Sequence, residues 1–355
     1  MEGKGARQWS SLTVPSVQEL VKDNNITTVP PRYVRSDKDG VLAGDEFGNG
    51  LPVIDLDRLC SATTMDAELE KLDSACRQWG FFQLVNHGVD TCLLEKAKEG
   101  VRDLFNLPME EKKKLWQRSG DLEGFGQAFV LSEDQNLDWA DMFFLTSQPV
   151  PLRRPHLFPK LPLPFRDALD AFSTQVMSKA RILISKMARA LEVKPEEMEG
   201  LFDDGLWQTM RLNYYPPCPE PDKVVGLTPH SDAVGLTILL HVNEVEGLQI
   251  KKDGGWVPVK PLPDAFVVNV GDIIEIVNNG EYQSVEHRAM VKAEKERLSV
   301  GVFHSPGFDK EIGPAKSLVR RQHKALFRSI STEDYFNGFF SKKLEEKSQI
   351  QLMRI

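Results

Sequence analysis

The sequence predicts an α+β protein in which α-helices pack on the outside of a closed or double-sheet β core of the jelly-roll type. Three observations carry that expectation. The chain has 355 residues, 41% of them hydrophobic, enough for a large core. Up to about residue 205 its apolar residues recur mainly at helical spacing, and from Trp207 the texture changes to short apolar runs separated by Gly, Pro, Asn and Asp. Seven or eight such runs within about 100 residues suit antiparallel strands, and a closed or double-sheet arrangement exposes fewer unpaired edges than an open sheet. The expected divisions are an N-terminal helix and connector (1–49), a mainly helical region (50–205), the jelly-roll core (206–308) and a C-terminal helical segment (309–355).

Each element has its own signal. Ser16 and Glu19 stand three apart ahead of Leu20 and Val21, the signature of a capping box, and Pro30 and Pro31 close the segment. Residues 36–50 are rich in charge and glycine and read as an exposed connector. Val53 and Ile54 suggest a strand. Met65, Leu69, Leu72, Cys76 and Trp79 recur at intervals of four and three, which is one helix face. A short apolar strand, 81–85, is closed by Asn86-His87-Gly88. A second amphipathic helix carries Leu94, Ala97, Val101 and Leu104, and Pro108 interrupts it. The charge run 110–114 reads as a solvated helix face. The longest helix spans about 165–191, with Phe165, Leu169, Phe172, Val176, Leu183 and Met187 on one side. Strands are expected at 236–242, 247–250, 256–259, 265–270, 273–277, 283–291 and 297–304, and a final helical segment near 332–354.

Composition narrows the function. A formal charge of -8 gives the molecule no basic field, so nucleic acid is not an expected partner. No apolar run approaches the roughly 20 residues that cross a bilayer, and the start, MEGKGARQWSSL, lacks an apolar signal core. A cytoplasmic protein without a membrane partner is expected, monomeric by default. Cys60, Cys76, Cys92 and Cys218 form no CxxC pair and read as reduced thiols, mostly packed.

The chemical signal begins at His230 and Asp232. Two residues apart, they project to the same side of an extended strand or its end, where one ion could reach both. Alone the pair is a weak signal, and a capped turn after Pro229 accounts for it too. His287 lies 55 positions beyond Asp232 on a different expected strand, able to meet the pair across a barrel. Two imidazoles and one carboxylate occupy one face of an octahedron and leave three positions open, the pattern of non-haem Fe(II) oxygenases; zinc is usually satisfied with fewer. Arg297 and Ser299, ten and twelve residues after His287, alternate onto one strand face. A guanidinium grips a carboxylate bidentately and a hydroxyl adds one donor. A dicarboxylate keto acid matches this layout, its keto-acid end on two metal positions and its far carboxylate on Arg297, with the remaining position for dioxygen. The competing reading of Arg297 is a surface ion pair with Glu294 or Glu296.

The runs Met210-Arg211-Leu212-Asn213-Tyr214-Tyr215-Pro216-Pro217-Cys218-Pro219, Gly226-Leu227-Thr228-Pro229-His230-Ser231-Asp232, Asn269-Val270-Gly271-Asp272, Ser284-Val285-Glu286-His287-Arg288 and Arg297-Leu298-Ser299, with 79–88 in the front half, resemble the plant 2-oxoglutarate-dependent dioxygenases of specialised metabolism. The senescence-related subgroup and the alkaloid O-demethylases are the most similar, over nearly the whole chain. The resemblance implies a distorted double-stranded β-helix, a cupin-like core, with iron on His230, Asp232 and His287. It implies that Asn213 and Tyr215 assist Arg297 and Ser299 in holding 2-oxoglutarate. The implied reaction couples decarboxylation of 2-oxoglutarate to succinate and carbon dioxide, with O2 consumed and ascorbate supportive, to hydroxylation of a small apolar plant metabolite. Where the hydroxylated carbon bears an ether oxygen, the product collapses with loss of formaldehyde, which is O-demethylation.

Candidates for the substrate pocket are Phe303, Met142, Phe129 and Arg211. Phe303, four strand positions beyond Ser299, should face the same interior, with plain core packing as the alternative. Met142 stands where the anthocyanidin synthases carry tyrosine, which argues against a flavonoid of that kind and suits an adaptable apolar wall. Residues 123–127, with Phe129 behind them, read as core more readily than as a pocket rim. His87 reads as structural; His241 and His304 line the cavity or pack in the core; His156 and His323 look exposed. Two other function classes compete. A non-catalytic cupin-like small-molecule binder has no need to keep both the three metal-type residues and the Arg-Ser pair. A zinc hydrolase requires a separate general base that nothing in the sequence positions.

Overall fold

The computed structural model describes residues 11–22, 26–35, 50–118, 121–127, 130–203, 205–341 and 349–355. In chain order the elements are α1 (Val17–Lys22), β1 (Val53–Asp55), α2 (Leu56–Cys60), α3 (Met65–Gln78), β2 (Phe81–Val85), α4 (Thr91–Asn106), α5 (Met109–Lys113), β3 (Gly124–Gly126), β4 (Asp141–Gln148), α6 (Leu163–Ala190), α7 (Pro195–Met198), β5 (Trp207–Tyr215), β6 (Leu227–His230), β7 (Leu236–His241), β8 (Leu248–Lys252), β9 (Gly255–Pro258), β10 (Phe266–Val270), α8 (Asp272–Val277), β11 (His287–Ala289), β12 (Arg297–Ser305), β13 (Glu311–Ile312), α9 (Lys316–Gln322), β14 (Ile330–Ser331), α10 (Thr332–Phe340) and α11 (Gln349–Met353).

An eight-stranded sheet runs in the order β1-β2-β10-β7-β12-β5-β4-β3, and a four-stranded sheet in the order β6-β11-β8-β9. Residues from both line one cavity between them, so the core is the double-sheet jelly roll that the run spacing predicts. The strand period of two explains how one sheet serves two purposes. On β5, β7, β10 and β12 the even-numbered residues, among them Leu212, Ile238, Val268 and Val300, join the hydrophobic core with the helices. The odd-numbered residues, among them Asn213, Thr237, Asn269 and Ser299, face the cavity. Hydrophobic burial toward the helices thus leaves the polar face free for chemistry.

The helical layer is built around α6. Its Phe165, Leu169, Phe172, Val176, Leu183 and Met187 are buried, as the periodicity predicts, and they join the same core as α3 and α4. Helix α4 starts on Asp90, whose side chain accepts from the Leu93 N–H at 2.7 Å. Its Gly100 sits where a Cβ would lie 2.0 Å from Phe165 Cδ2, so only glycine lets the two helices approach this closely.

Several local expectations change. The front region holds more strand than expected: besides the anticipated β1 and β2 at one end of the eight-stranded sheet, β3 and β4 extend its other end. Residues 273–277, expected as a strand, form helix α8, buried on every side. Its first N–H groups are committed elsewhere: Asp272 and Ile273 donate to the carbonyls of Asp232 and Val234 at 2.8 and 3.1 Å, which a ladder would not allow. The strand expected over 283–291 shrinks to β11. In the charge run, Lys113 and Lys114 pair with Glu110 and Glu111 in solvent, but Lys112 is buried and donates to Gln18. Of the capping box, the Ser16 hydroxyl accepts from the Glu19 N–H at 3.3 Å while donating to Asp141 at 2.7 Å. The connector at 36–49 and Phe129 lie outside the described residues. No helix among the described residues is long and apolar enough to cross a membrane.

Candidate active site

The antiparallel pairing of β6 with β11 sets His287 opposite His230. The two histidines are therefore neighbours on adjacent strands, not residues meeting across a barrel, and their ring centroids stand 4.3 Å apart. Asp232 follows β6 in a loop whose carbonyl is held by α8. Its Oδ1 lies 3.5 Å from His230 Nε2 and 3.8 Å from His287 Nε2, too long for good hydrogen bonds. Ligand atoms of all three lie within 4.8 Å of one another.

The surrounding hydrogen bonds orient these atoms. His230 Nδ1 lies 2.7 Å from the Thr228 carbonyl and His287 Nδ1 3.2 Å from the Val285 carbonyl. A carbonyl only accepts, so each Nδ1 carries the proton and each Nε2 turns a lone pair inward. Asp232 Oδ2 accepts from the Thr237 hydroxyl at 2.6 Å and the Asn269 amide at 2.8 Å, leaving Oδ1 to the histidines. Burial works to raise the Asp232 carboxyl. The two imidazoles beside Oδ1, His287 foremost, together with the Asn269 amide outweigh it and hold the group well below the usual carboxylate range.

Deeper between the sheets, the β5–β12 ladder sets Arg297 opposite Tyr215 and Ser299 opposite Asn213. Arg297 is 3% exposed, its guanidinium lies 5.1 Å from the Tyr215 ring centroid, and its Nε has no hydrogen-bond partner. Glu296 instead accepts from the Tyr214 hydroxyl at 2.6 Å, so the surface-pair reading of Arg297 fails. Asn213 donates to Ser299 at 3.4 Å while its own Oδ1 is unpartnered. Buried polar atoms without partners are rare in folded proteins; here they face one cavity, beside three inward-facing donors. A carboxylate-bearing ligand would answer the free Arg297 N–H, and the three donors are of the kind that hold a metal ion.

A second cavity adjoins the His230–Asp232 edge, enclosing about 660 Å³ of non-atom space with its open mouth included. Met142, Arg211 and Phe303 line it as the sequence suggests. Arg211 and Phe303 also border the Arg297 cavity, and Arg211 Nε has no partner. Phe144, at the end of the stretch 137–144 that resembles a family segment bordering the pocket, lines it too, and sequence reasoning missed Trp207 and Leu122, and Phe336, Phe339 and Phe340 from α10. The α10 aromatics recur at i, i+3 and i+4, a helix-face signal that could have found them. Phe125 packs on Phe105 and Phe143, which makes 123–127 core and not rim. His87 is structural, bonded to the Asp264 carbonyl and the Val89 N–H. His304 is a packing residue between Gln208 and the Leu236 carbonyl, and burial pushes it down to about 4. His156 is half-buried and His323 exposed. All four cysteines are free, Cys60 and Cys92 exposed, Cys76 and Cys218 buried.

A jelly roll that gathers two imidazoles and a carboxylate at the mouth of an arginine-ended cavity defines a non-haem metal oxygenase. Comparison with known proteins specifies the kind. Residues 206–306 match the 2OG-Fe(II) oxygenase superfamily and residues 51–161 the N-terminal region of the non-haem dioxygenases in morphine synthesis. The chain is 64% identical to Protein SRG1 of Arabidopsis thaliana over the full length of both. It is 50% identical to codeine O-demethylase of Papaver somniferum, covering 98% of this chain and 97% of that protein. The crystal structure of JOX2 in complex with 2OG, Fe and JA superposes with a TM-score of 0.86 at 33% identity, covering 96% of this chain and 98% of that one. The chain belongs to the 2-oxoglutarate- and Fe(II)-dependent oxygenases. It is an oxidoreductase that uses iron and 2-oxoglutarate and acts on a small molecule, which retires both the non-catalytic binder and the zinc hydrolase.

Proposed function

We propose that His230 and His287 through Nε2, and Asp232 through Oδ1, hold the iron, and that Arg297 and Ser299, assisted by Asn213 and Tyr215, hold the far carboxylate of 2-oxoglutarate. The substrate is a small, largely apolar aromatic plant metabolite that is hydroxylated or O-demethylated. The observation that carries this reading is the convergence of three donor atoms within 4.8 Å beside a buried arginine whose Nε lacks a partner.

Each side chain has a task that follows from its surroundings. The carbonyls of Thr228 and Val285 fix the histidine tautomers, and Thr237 and Asn269 keep the Asp232 carboxylate ionised and turned. Arg297, buried in the cavity wall, supplies a charge-matched, bidentate grip. When bound there, iron with 2-oxoglutarate and O2 would supply the oxidising power to put one oxygen atom into a substrate C–H bond, with succinate and carbon dioxide as the co-products. Trp207, Phe144, Phe303 and the α10 aromatics give the substrate an apolar enclosure. Arg211, the cation in that enclosure with an unpartnered Nε, donates to an oxygen on the substrate and sets which carbon faces the metal. The names of two relatives support O-demethylation: codeine O-demethylase and, at 54% identity, a flavonoid 7-O-demethylase of Ocimum basilicum. We further propose a cytoplasmic monomer that needs no nucleic acid or membrane and is supported by ascorbate.

Anaerobic addition of Fe(II) and 2-oxoglutarate should produce a visible charge-transfer absorption that requires both. Incubation in air with methoxylated aromatic metabolites should yield succinate together with formaldehyde, or with a product heavier by one oxygen if hydroxylation is the outcome. Replacing His230, Asp232 or His287 by Ala should abolish iron retention and turnover with the fold intact by circular dichroism. Full activity in any one of these variants rejects that residue as a ligand.

A further inference from the structure

We propose that His241 is a further contact for 2-oxoglutarate, its imidazole donating a hydrogen bond to the far carboxylate beside Ser299. The inference rests on the 2-oxoglutarate reading of the Arg297 cavity and deepens it. His241 closes β7, where it is directly opposite Ser299 in the β7–β12 ladder, as Asn213 is on the other side in the β5–β12 ladder. Residues directly opposite in an antiparallel pair share a face, with Cβ atoms about 4.5–5.5 Å apart. Thr237 and Leu239, two and four residues earlier on the same strand, line the cavity, as do Ser299 and Asn213. The alternation therefore turns His241 to the cavity side, in one row with Asn213 and Ser299.

The state of the ring is what points to a ligand. His241 is 8% exposed, and neither Nδ1 nor Nε2 has a hydrogen-bond partner. The other buried histidines differ. His87, His287 and His304 each spend a ring nitrogen on a backbone carbonyl. A polar ring left unpaired inside a protein calls for a partner that arrives later. The charges nearby say which kind: Arg297 and, less, Lys98 act on His241, so an anion beside the ring would be welcome and a cation would not. A neutral imidazole still carries one N–H, enough to serve a carboxylate oxygen that Arg297 and Ser299 leave free.

The test is binding, read anaerobically from the charge-transfer absorption of the iron-loaded protein as the keto acid is titrated. His241→Met, an unbranched apolar replacement, should raise the Kd for 2-oxoglutarate by roughly tenfold, the size of one hydrogen bond to a charged group. It should leave the Kd for pyruvate, which has no far carboxylate, unchanged. His241→Gln, whose amide restores a donor, should bind 2-oxoglutarate within about threefold of the wild type; should the Met variant fail to fold, a second apolar variant, His241→Leu, carries the same expectation. Unchanged 2-oxoglutarate affinity in the apolar variants, or an equal loss for pyruvate, overturns the proposal. Arg297→Ala separates the two levels: if it too leaves 2-oxoglutarate affinity intact, the reading of the cavity fails, whereas a loss confined to Arg297→Ala sinks only the role of His241.

Discussion

Thr237→Val removes a single hydroxyl from the support of the metal-type carboxylate, with little change of shape. In the structure Asp232 Oδ2 accepts two hydrogen bonds, at 2.6 Å from Thr237 and at 2.8 Å from Asn269, and the carboxyl is buried and held ionised. A hydrogen bond to a charged group contributes about 1.5–3 kcal/mol. The variant should lose about that much of the interaction that orients Oδ1, which corresponds to a roughly 10–100-fold weaker hold on Fe(II). The assay is an anaerobic titration of Fe(II) at saturating 2-oxoglutarate, followed by absorption, with Thr237→Ser as the variant that keeps the hydroxyl and should keep the affinity. Equal iron affinity in the Val variant and the wild type would refute the claim that Thr237 fixes the ligand oxygen. A loss shared by the Ser variant would show that shape and not the hydrogen bond is responsible.

Three further expectations concern other parts of the molecule. Arg297→Ala should raise the KM for 2-oxoglutarate by at least about 100-fold, since more than one charge-assisted bond is lost, while iron affinity measured without the keto acid stays as it was; an unchanged KM counts against the assignment. Phe339→Ala, on the cavity side of α10, should weaken substrate binding roughly fivefold, about 1 kcal/mol of aromatic contact, and leave the Kd for 2-oxoglutarate alone; a shift in both indicates a general loss of structure. His304 titrates near 4 in the folded protein because it is buried and near 6.5 when unfolded. The unfolded state thus binds the extra proton first, so its contribution is fully present above pH 6.5 and is lost as pH falls toward 4. From pH 7 to pH 5 this amounts to about 2 kcal/mol; urea unfolding of His304→Gln should show correspondingly less acid sensitivity, and identical pH dependence in both proteins contradicts the shift.

The site was more legible than the fold around it, for a physical reason. His230 with Asp232, and Arg297 with Ser299, are spaced by two on or at the end of a strand, so their common direction follows from local geometry. The partnership of His287 with them needed the register of β6 and β11, which no local pattern encodes. Residues 273–277 misled because a short apolar run has no period that separates a buried strand from a buried helix; the deciding bonds go to Asp232 and Val234, about forty residues away. Lys112 was read as solvated from its neighbours, yet its stem packs under α1 and its ammonium meets Gln18. The Phe303 position was found by alternation. The α10 wall was overlooked because its aromatics, over a hundred residues from Trp207, meet it only in the folded chain.

The donor set also joins two structural layers. His230 and His287 hang from the small sheet, while the carboxylate between them is tied to Thr237 and Asn269 of the large one. A cation seated there works as a rivet through both walls of the sandwich. Its binding energy then adds to the resistance of the whole barrel against unfolding, growing with the logarithm of free metal over Kd. Iron scarcity would consequently shorten the life of the polypeptide as well as silence it, since the unriveted barrel opens more often to proteases.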